Sequence, residues 1–328
     1  MKIVRLIFLL LHMMIFLLLV GMLLNAYISP KVFPWLNLLS LAFPGLISGY
    51  VALTVFWIIS WKKRAFVFLL LGLLFFNPVL RWVNYSSLKN EVPDLKVMSF
   101  NTRSGGSSKS ITKEYLKNSG ADVILIQEDY GQEYGSLGYE IASFGNIIIL
   151  SKYKIIEKQF IKLNNEHIDD PALQVDVEIK RKRYRLISVH LQSFKFEKNM
   201  VRLNGNDEED EAKVKNIIKR LIPTFKMHHN QVDIIKKAVE HSPYPVILAG
   251  DFNSVPNSYE YYHLSEGLQD AFLEAGRGSA TSFHDYKFPI RIDYIFTSKS
   301  IKTISYRVDR SVKISDHFPV IATFKLGK

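Results

Sequence analysis

The chain has 328 residues and a mass of 37.8 kDa, with 48% hydrophobic and 22% charged residues; this balance excludes a disordered or collagen-like polymer and fits one globular domain with an appendage. It contains no cysteine, which excludes a disulfide framework, a thiolate zinc site and a cysteine nucleophile. Of the net charge of +11, residues 1–91 carry +7, with eight Lys or Arg against Glu91 alone, so the basic pI reflects the flanks of an apolar region and not a nucleic-acid-binding face.

Leu6 to Leu24 is apolar except for His12, long enough to cross a hydrocarbon core of about 30 Å at about 1.5 Å per residue. A cleaved leader would have an apolar stretch of about 7–15 residues ending at small residues. Asn25-Ala26-Tyr27-Ile28 supplies no such site. Two more apolar stretches follow, the first kinked at Pro44-Gly45, and all four tryptophans (Trp35, Trp57, Trp61, Trp82) lie at or near stretch ends, as an interfacial aromatic belt requires. Residues 1–84 are therefore expected to be a membrane anchor of three transmembrane helices at about 6–24, 36–60 and 65–83. Lys2, Arg5 and the Lys62-Lys63-Arg64 loop mark the cytoplasmic side. Three crossings of a cytoplasmic (inner) membrane would place the remainder on its non-cytoplasmic side.

Residues 85–94 read as a linker, and residues 95–328 as a soluble domain. Its apolar runs are short and β-rich: 95–101, 123–127, 146–150, 173–179, 184–191, 246–249, 290–296 and 319–324. Helical patterns fall at 110–118, 211–222, 231–241 and 258–264. Residues 174–190, with a basic turn at Lys180-Arg181-Lys182-Arg183, read as a hairpin. The mixture predicts mixed sheets covered by helices, an α/β (α+β) arrangement, and not a doubly wound parallel sheet. An insertion at about 194–230 interrupts the rhythm; its acidic run 207–211 reads as a solvated surface, and Phe194 and Phe196 as insertion core, with contact to lipid the alternative.

Polar residues recur where the apolar runs stop: Asn101, Glu128, His190 with Gln192, Asp251 with Asn253, Asp293, and Asp316-His317. Each alone is explained by capping, turns or a satisfied structural histidine. Together, carboxylates at strand ends converging on one rim would need a cation or a proton to relieve their repulsion.

The segments Ser99-Phe100-Asn101-Thr102-Arg103, Gln127-Glu128, Ser188-Val189-His190-Leu191, Gly250-Asp251-Phe252-Asn253, Arg291-Ile292-Asp293-Tyr294 and Ser315-Asp316-His317-Phe318-Pro319-Val320 resemble, in order, the motifs of the endonuclease/exonuclease/phosphatase superfamily, which includes deoxyribonuclease I. The resemblance runs from about Lys96 to the C-terminus. It implies a four-layer α/β sandwich of two mixed β-sheets flanked by helices, and a Mg²⁺-dependent phosphoesterase, with Mn²⁺ or Ca²⁺ as alternatives. By the same resemblance Glu128 is the principal metal ligand, with Asn101 beside it and Asp316 a second carboxylate. Asp251 would activate water, Asn253 would hold the phosphoryl oxygens, His317 oriented by Asp293 would serve as acid/base or donor, and His190 would contact the phosphate. Arg103 stands where abasic-site endonucleases carry an acid, and becomes a phosphate clamp with Gln192 nearby. No carboxylate partner for His190 is legible.

The expected partners are the lipid bilayer and a phosphate-ester substrate, diester or monoester. The anchor and the sphingomyelinase-like His190-Leu191-Gln192 favour a phospholipid or sphingolipid head group, and Arg103 favours nucleic acid. No protein partner is inferable. The competing class, a non-catalytic membrane-tethered binding module, should have lost residues that here all stand: Glu128, Asp251, Asn253 and His317.

Overall fold

A computed structural model describes residues 2–103, 109–129, 134–163, 171–196, 200, 205, 207–285 and 290–327. The N-terminal region folds as α1 (Lys2–Leu23), α2 (Trp35–Ile59), α3 (Arg64–Gly72) and, after a 3-10 turn, α4 (Phe76–Leu80). The first two helices are long and apolar enough to cross a membrane. The third expected span is corrected: Arg64–Leu80 gives at most 17 helical residues, about 25 Å of helix against a core of about 30 Å. Its end is set by the backbone, because Val83–Tyr85 leaves the helical path and pairs as a strand with Arg277–Ser279. Trp57 also departs from expectation. It is fully buried in the bundle, where its Nε1 donates to His12 Nδ1 at 3.1 Å.

The remainder forms two six-stranded mixed sheets. In chain order the strands are β1 (Val83–Tyr85), β2 (Leu95–Asn101), β3 (Val123–Gln127), β4 (Glu140–Phe144), β5 (Ile147–Ser151), β6 (Ile155–Lys162), β7 (Pro171–Ile179), β8 (Lys182–His190), β9 (Val246–Asp251), β10 (Leu268–Asp270), β11 (Arg277–Ser279), β12 (Asp293–Ser298), β13 (Ile301–Val308) and β14 (Val320–Leu326). One sheet has the order β13-β14-β2-β3-β5-β4 and the other β10-β12-β9-β8-β7-β6, with β1-β11 a separate ribbon. The expected hairpin is β7-β8, and its two-residue turn places Lys180 and Arg181 at φ 52° and 64°, the left-handed pair that matches strand twist.

Within each sheet a parallel pair lies near the centre, β2-β3 in one and β8-β9 in the other. Their C-terminal ends carry Asn101 and Gln127 in register, and His190 and Asp251 in register. The space between the sheets is filled by Val97, Val123, Leu125, Val175, Leu186, Ala249 and Ile295, all fully buried. The outer faces are covered by α5 (Lys109–Asn118) on one side, and on the other by α6 (Asp207–Glu240) and α7 (Tyr259–Leu264); α8 is the short Ala271–Ala275. These layers make the four-layer sandwich. The helices expected at 211–222 and 231–241 are one 34-residue helix that continues through Pro223. Its first turn holds the acidic run, where the helix dipole favours negative charge. Residues 197–199, 201–204 and 206 of the expected insertion lie outside the described residues.

The helical region and the sandwich meet at one end of the bundle, formed by the C-terminal ends of α1 and α4 and the start of α2. There Asn25 Nδ2 donates to the Asn257 carbonyl at 3.1 Å, and Arg81 Nη1 to Asn257 Oδ1 at 2.9 Å. Asn37 Nδ2 donates to both oxygens of Glu260 (3.1 and 3.0 Å), and Asn37 Oδ1 accepts from Tyr259 N at 2.9 Å. Glu260 is wholly buried and also meets His228 Nδ1 at 2.8 Å, while His228 Nε2 lies 2.8 Å from the Gln192 carbonyl. That carbonyl only accepts, so Nε2 carries a proton. Along the segment 85–94, Ser86 N donates to the Gly276 carbonyl and Asp94 N to the Phe324 carbonyl, so this stretch lies against the sandwich.

Glu260→Ala would strip Asn37 and His228 of their acceptor in a dry seam. We expect it to cost about 3 kcal/mol, seen as a lower melting temperature of the full chain in detergent, with Glu260→Gln losing less because an acceptor remains.

Candidate active site

Site residues lie where strands of both sheets end. Three of them, Arg103, Glu128 and Asn253, sit just past β2, β3 and β9 with φ of 47°, 53° and 45°. Left-handed backbone is costly for a β-carbon-bearing residue, and here it turns each chain sharply off its strand so that the side chain stays at the rim. Gly250 allows the approach from below. It has φ 147°, and a Cβ on it would lie 1.9 Å from the Val189 carbonyl oxygen of the neighbouring parallel strand.

Asn101 links the two sheets. Its Nδ2 donates to Glu128 Oε1 at 3.1 Å and to Asp251 Oδ2 at 3.0 Å, while its Oδ1 accepts from Arg103 N at 3.0 Å. His190 Nε2 lies 3.2 Å from Glu128 Oε1 and 3.8 Å from Asp251 Oδ2; Glu128 is thus the carboxylate nearest His190, and it comes from the opposite sheet. Asp293, register partner of Asp251 on β12, accepts from His317 Nδ1 at 2.9 Å. This aims His317 Nε2 at Asp251 Oδ2, 3.6 Å away. A deeper tie between the sheets is Gln127 Nε2, which donates to Ser188 Oγ at 3.0 Å.

The electrostatics follow from this crowding. Burial pushes Glu128 up, but its contacts with His190 and Asn101 outweigh burial and hold it at about 2. Burial also raises Asp251; His317 opposes the rise and Asp293 adds to it, leaving Asp251 at about 6. For His317 burial works downward, and the carboxylates of Asp293 and Asp251 override it, carrying it to about 10.

Two groups of side chains offer donor atoms within 4.8 Å of one another: Glu128, His190 and Asp251, and Asp251, Asp293 and His317. In the second, Asp293 is committed to His317. The first, with Asn101 beside it, has the oxygen-rich donor set that suits a hard divalent cation. Asp316 is placed differently from Glu128. It pairs with Arg103 Nη1 at 3.0 Å and accepts from Ser315 Oγ at 3.1 Å, and Arg103 also faces Asp285 at 3.5 Å.

Arg103, Glu128, Asp251, Asn253, Asp316 and His317 line one cleft of about 330 Å³. Asn253 Nδ2 donates to the Leu191 carbonyl at 2.8 Å. Gln192 is not brought in; its backbone N donates to Gln231 Oε1 and its side chain turns to the Ser193 carbonyl. Phe194 and Phe196 line the cleft, as does Leu41 of α2, and Phe194 also packs on Phe225 and His228 of the insertion. No motif signalled Leu41, because nothing in the sequence says which face of an apolar helix a distant domain will touch.

The model of the Endonuclease/Exonuclease/phosphatase family matches residues 98–317. The chain belongs to this family. A second family model, for a domain of unknown function, matches residues 5–82, and no curated protein matches the sequence. Among solved structures, an endonuclease/exonuclease/phosphatase family protein from Bacteroides thetaiotaomicron aligns over 73% of this chain and 100% of its own, with a TM-score of 0.55 and 17% identity. The mannosyl-6-phosphatase of the same organism covers 70% of this chain and 99% of its own (TM-score 0.51, 19% identity). D. rerio TDP2 complexed with single strand DNA product covers 70% and 98% (TM-score 0.52, 17% identity). At such identities the likeness is one of fold, and these endonuclease/exonuclease/phosphatase neighbours leave the substrate open.

Gly250→Ala should force β9 away from β8 and displace Asp251. The expected result is a loss of more than about 2 kcal/mol, read by thermal melting, and unchanged melting would contradict the close approach described above.

Proposed function

We propose that the protein is a membrane-anchored, divalent-metal-dependent phosphoesterase. The observation that carries this reading is the meeting of Asn101, Glu128, His190, Asp251, Asp293 and His317, from both sheets, in one cluster whose Glu128, Asp251 and His317 line the cleft. Membership in a family with phosphatase and nuclease members supports it.

Hydrolysis of a phosphate ester forms one P–O bond to water and breaks another to the leaving alcohol, while a proton moves from the water to the leaving oxygen. Each change has a residue suited to it. Asp251 faces the cleft with Oδ1 held by Asn253 N at 2.8 Å and Oδ2 by Asn101, so it can orient a water and take its proton. His317, fixed by Asp293 at Nδ1, presents Nε2 as a donor to a phosphoryl oxygen or to the leaving group. His190 stands beside the same carboxylates and serves the phosphate from the other side. Arg103, more than half exposed, closes the rim as a cationic clamp. Glu128 and Asn101 would hold the cation, with Asp316 a further carboxylate across Arg103. A divalent ion there supplies positive charge against the phosphate oxygens.

The anchor reading draws on α1 and α2, whose length and apolar surface suit a bilayer. Asn25, Asn37 and Arg81 all join the catalytic domain at the bundle end away from the Lys62-Lys63-Arg64 loop. With that loop cytoplasmic, the catalytic domain lies on the non-cytoplasmic side.

The full chain in detergent, assayed on bis-p-nitrophenyl phosphate with Mg²⁺, tests the chemistry. Asp251→Ala and His317→Ala are each expected to lower kcat by about 10² to 10⁴, and EDTA to abolish turnover. Equal rates for wild type and Asp251→Ala would favour the non-catalytic binding module.

A further inference from the structure

The cleft has two unlike sides. One is the charged set already described. Its opposite wall is built from Phe194, Phe196, Ile217, Leu221, Ile292 and, from the membrane helix α2, Leu41. A sugar or nucleotide ester would bring hydroxyls and amides to that wall, where apolar side chains give them no partners. A hydrocarbon chain loses nothing there.

Leu41 has a settled position. It lies one turn beyond Asn37, which Glu260 and Tyr259 N hold from three sides, so α2 cannot slide away from the cleft. Leu41 is nonetheless 37% exposed, and that exposed surface belongs at once to the cleft wall and to a helix suited to lipid. Behind the wall, Trp82 of the anchor packs against the cluster of Val255, Phe283 and Ile292. The anchor therefore builds part of the substrate site and does more than tether it. Arg103 and Lys195 also line the cleft, suiting a phosphate at the charged set with its tail along the wall.

From this geometry we infer that the substrate is an amphiphile: a phosphate ester bearing a long hydrocarbon chain, entering from the bilayer along Leu41. The inference rests on the phosphoesterase reading and adds the substrate class. Nucleic acid is disfavoured by the same wall. Phe194 and Phe196 stack on each other at 5.6 Å, which occupies one face of each ring where a single-strand binder would stack bases.

The test uses the full chain in detergent with Mg²⁺ and a series of alkyl p-nitrophenyl phosphodiesters, methyl to hexyl, short enough to stay monomeric. The expected kcat/KM rises about two- to fourfold per methylene, the increment of hydrocarbon burial. In Leu41→Asp and, separately, Ile217→Asp, the ratio of hexyl to methyl kcat/KM should fall at least fivefold. Both side chains are partly exposed, and circular dichroism with melting checks that each variant folds. Hydrolysis that is flat across the series, or a single-stranded oligonucleotide cleaved faster than the hexyl ester, overturns the inference and leaves the phosphoesterase reading standing. No metal-dependent hydrolysis of any ester sinks that reading itself. Vesicles carrying either phosphatidylglycerol or an isoprenyl monophosphate then identify the source of the chain, and turnover of neither counts against a bilayer substrate.

Discussion

The fold is organised around a carboxylate that cannot stand alone. Asp251 is wholly buried at the end of a central strand with Asp293 beside it in register, and two acids so placed repel each other unless something offsets the charge. Asn101 reaches across from the other sheet, His317 and His190 approach from either side, and Glu128 lies within reach of the same groups. Every one of these partners stands at a strand end. The sandwich must therefore align two parallel pairs, one per sheet, and the Gln127–Ser188 bond between the sheets fixes that alignment just beneath the site. Packing and chemistry are here the same requirement.

A second constraint lies outside the sandwich. Asn37, Glu260 and His228 form a buried polar chain from the apolar helix α2 to the Gln192 carbonyl, next to the loop that carries Phe194. Buried polar groups without partners are costly, so this chain specifies one docking geometry where an apolar seam would permit several. Arg81 reinforces it, lying 4.9 Å over Tyr261 and 4.5 Å over Tyr262 while bonding Asn257.

Much of the sandwich was legible in the sequence, for a physical reason. Strands buried on both faces are written as mainly apolar runs, and β2 and β3 begin and end where their runs do. Edge strands carry no such signature. β6 is exposed along most of its length and β13 alternates, and neither was read. The helices expected at 211–222 and 231–241 are one, and the burial of Leu221, Phe225, His228, Val232 and Ile235 against the sandwich goes with its running unbroken through Pro223. The site residues were legible through ordered motifs, but three contacts that matter were not of the kind a motif records: the Glu128 partner of His190, the role of Leu41, and the Glu260 seam all join segments far apart in the chain. The third span failed for a local reason, since β1 claims the residues that would have lengthened it.

The strand pair β1-β11 and the Asn37–Glu260 seam leave the catalytic domain no slack. Anchored in a bilayer as proposed above, this domain would patrol a plane and not a volume. Its encounter rate would follow the lateral density of molecules in a single leaflet, and dilution of the surrounding solution would barely register.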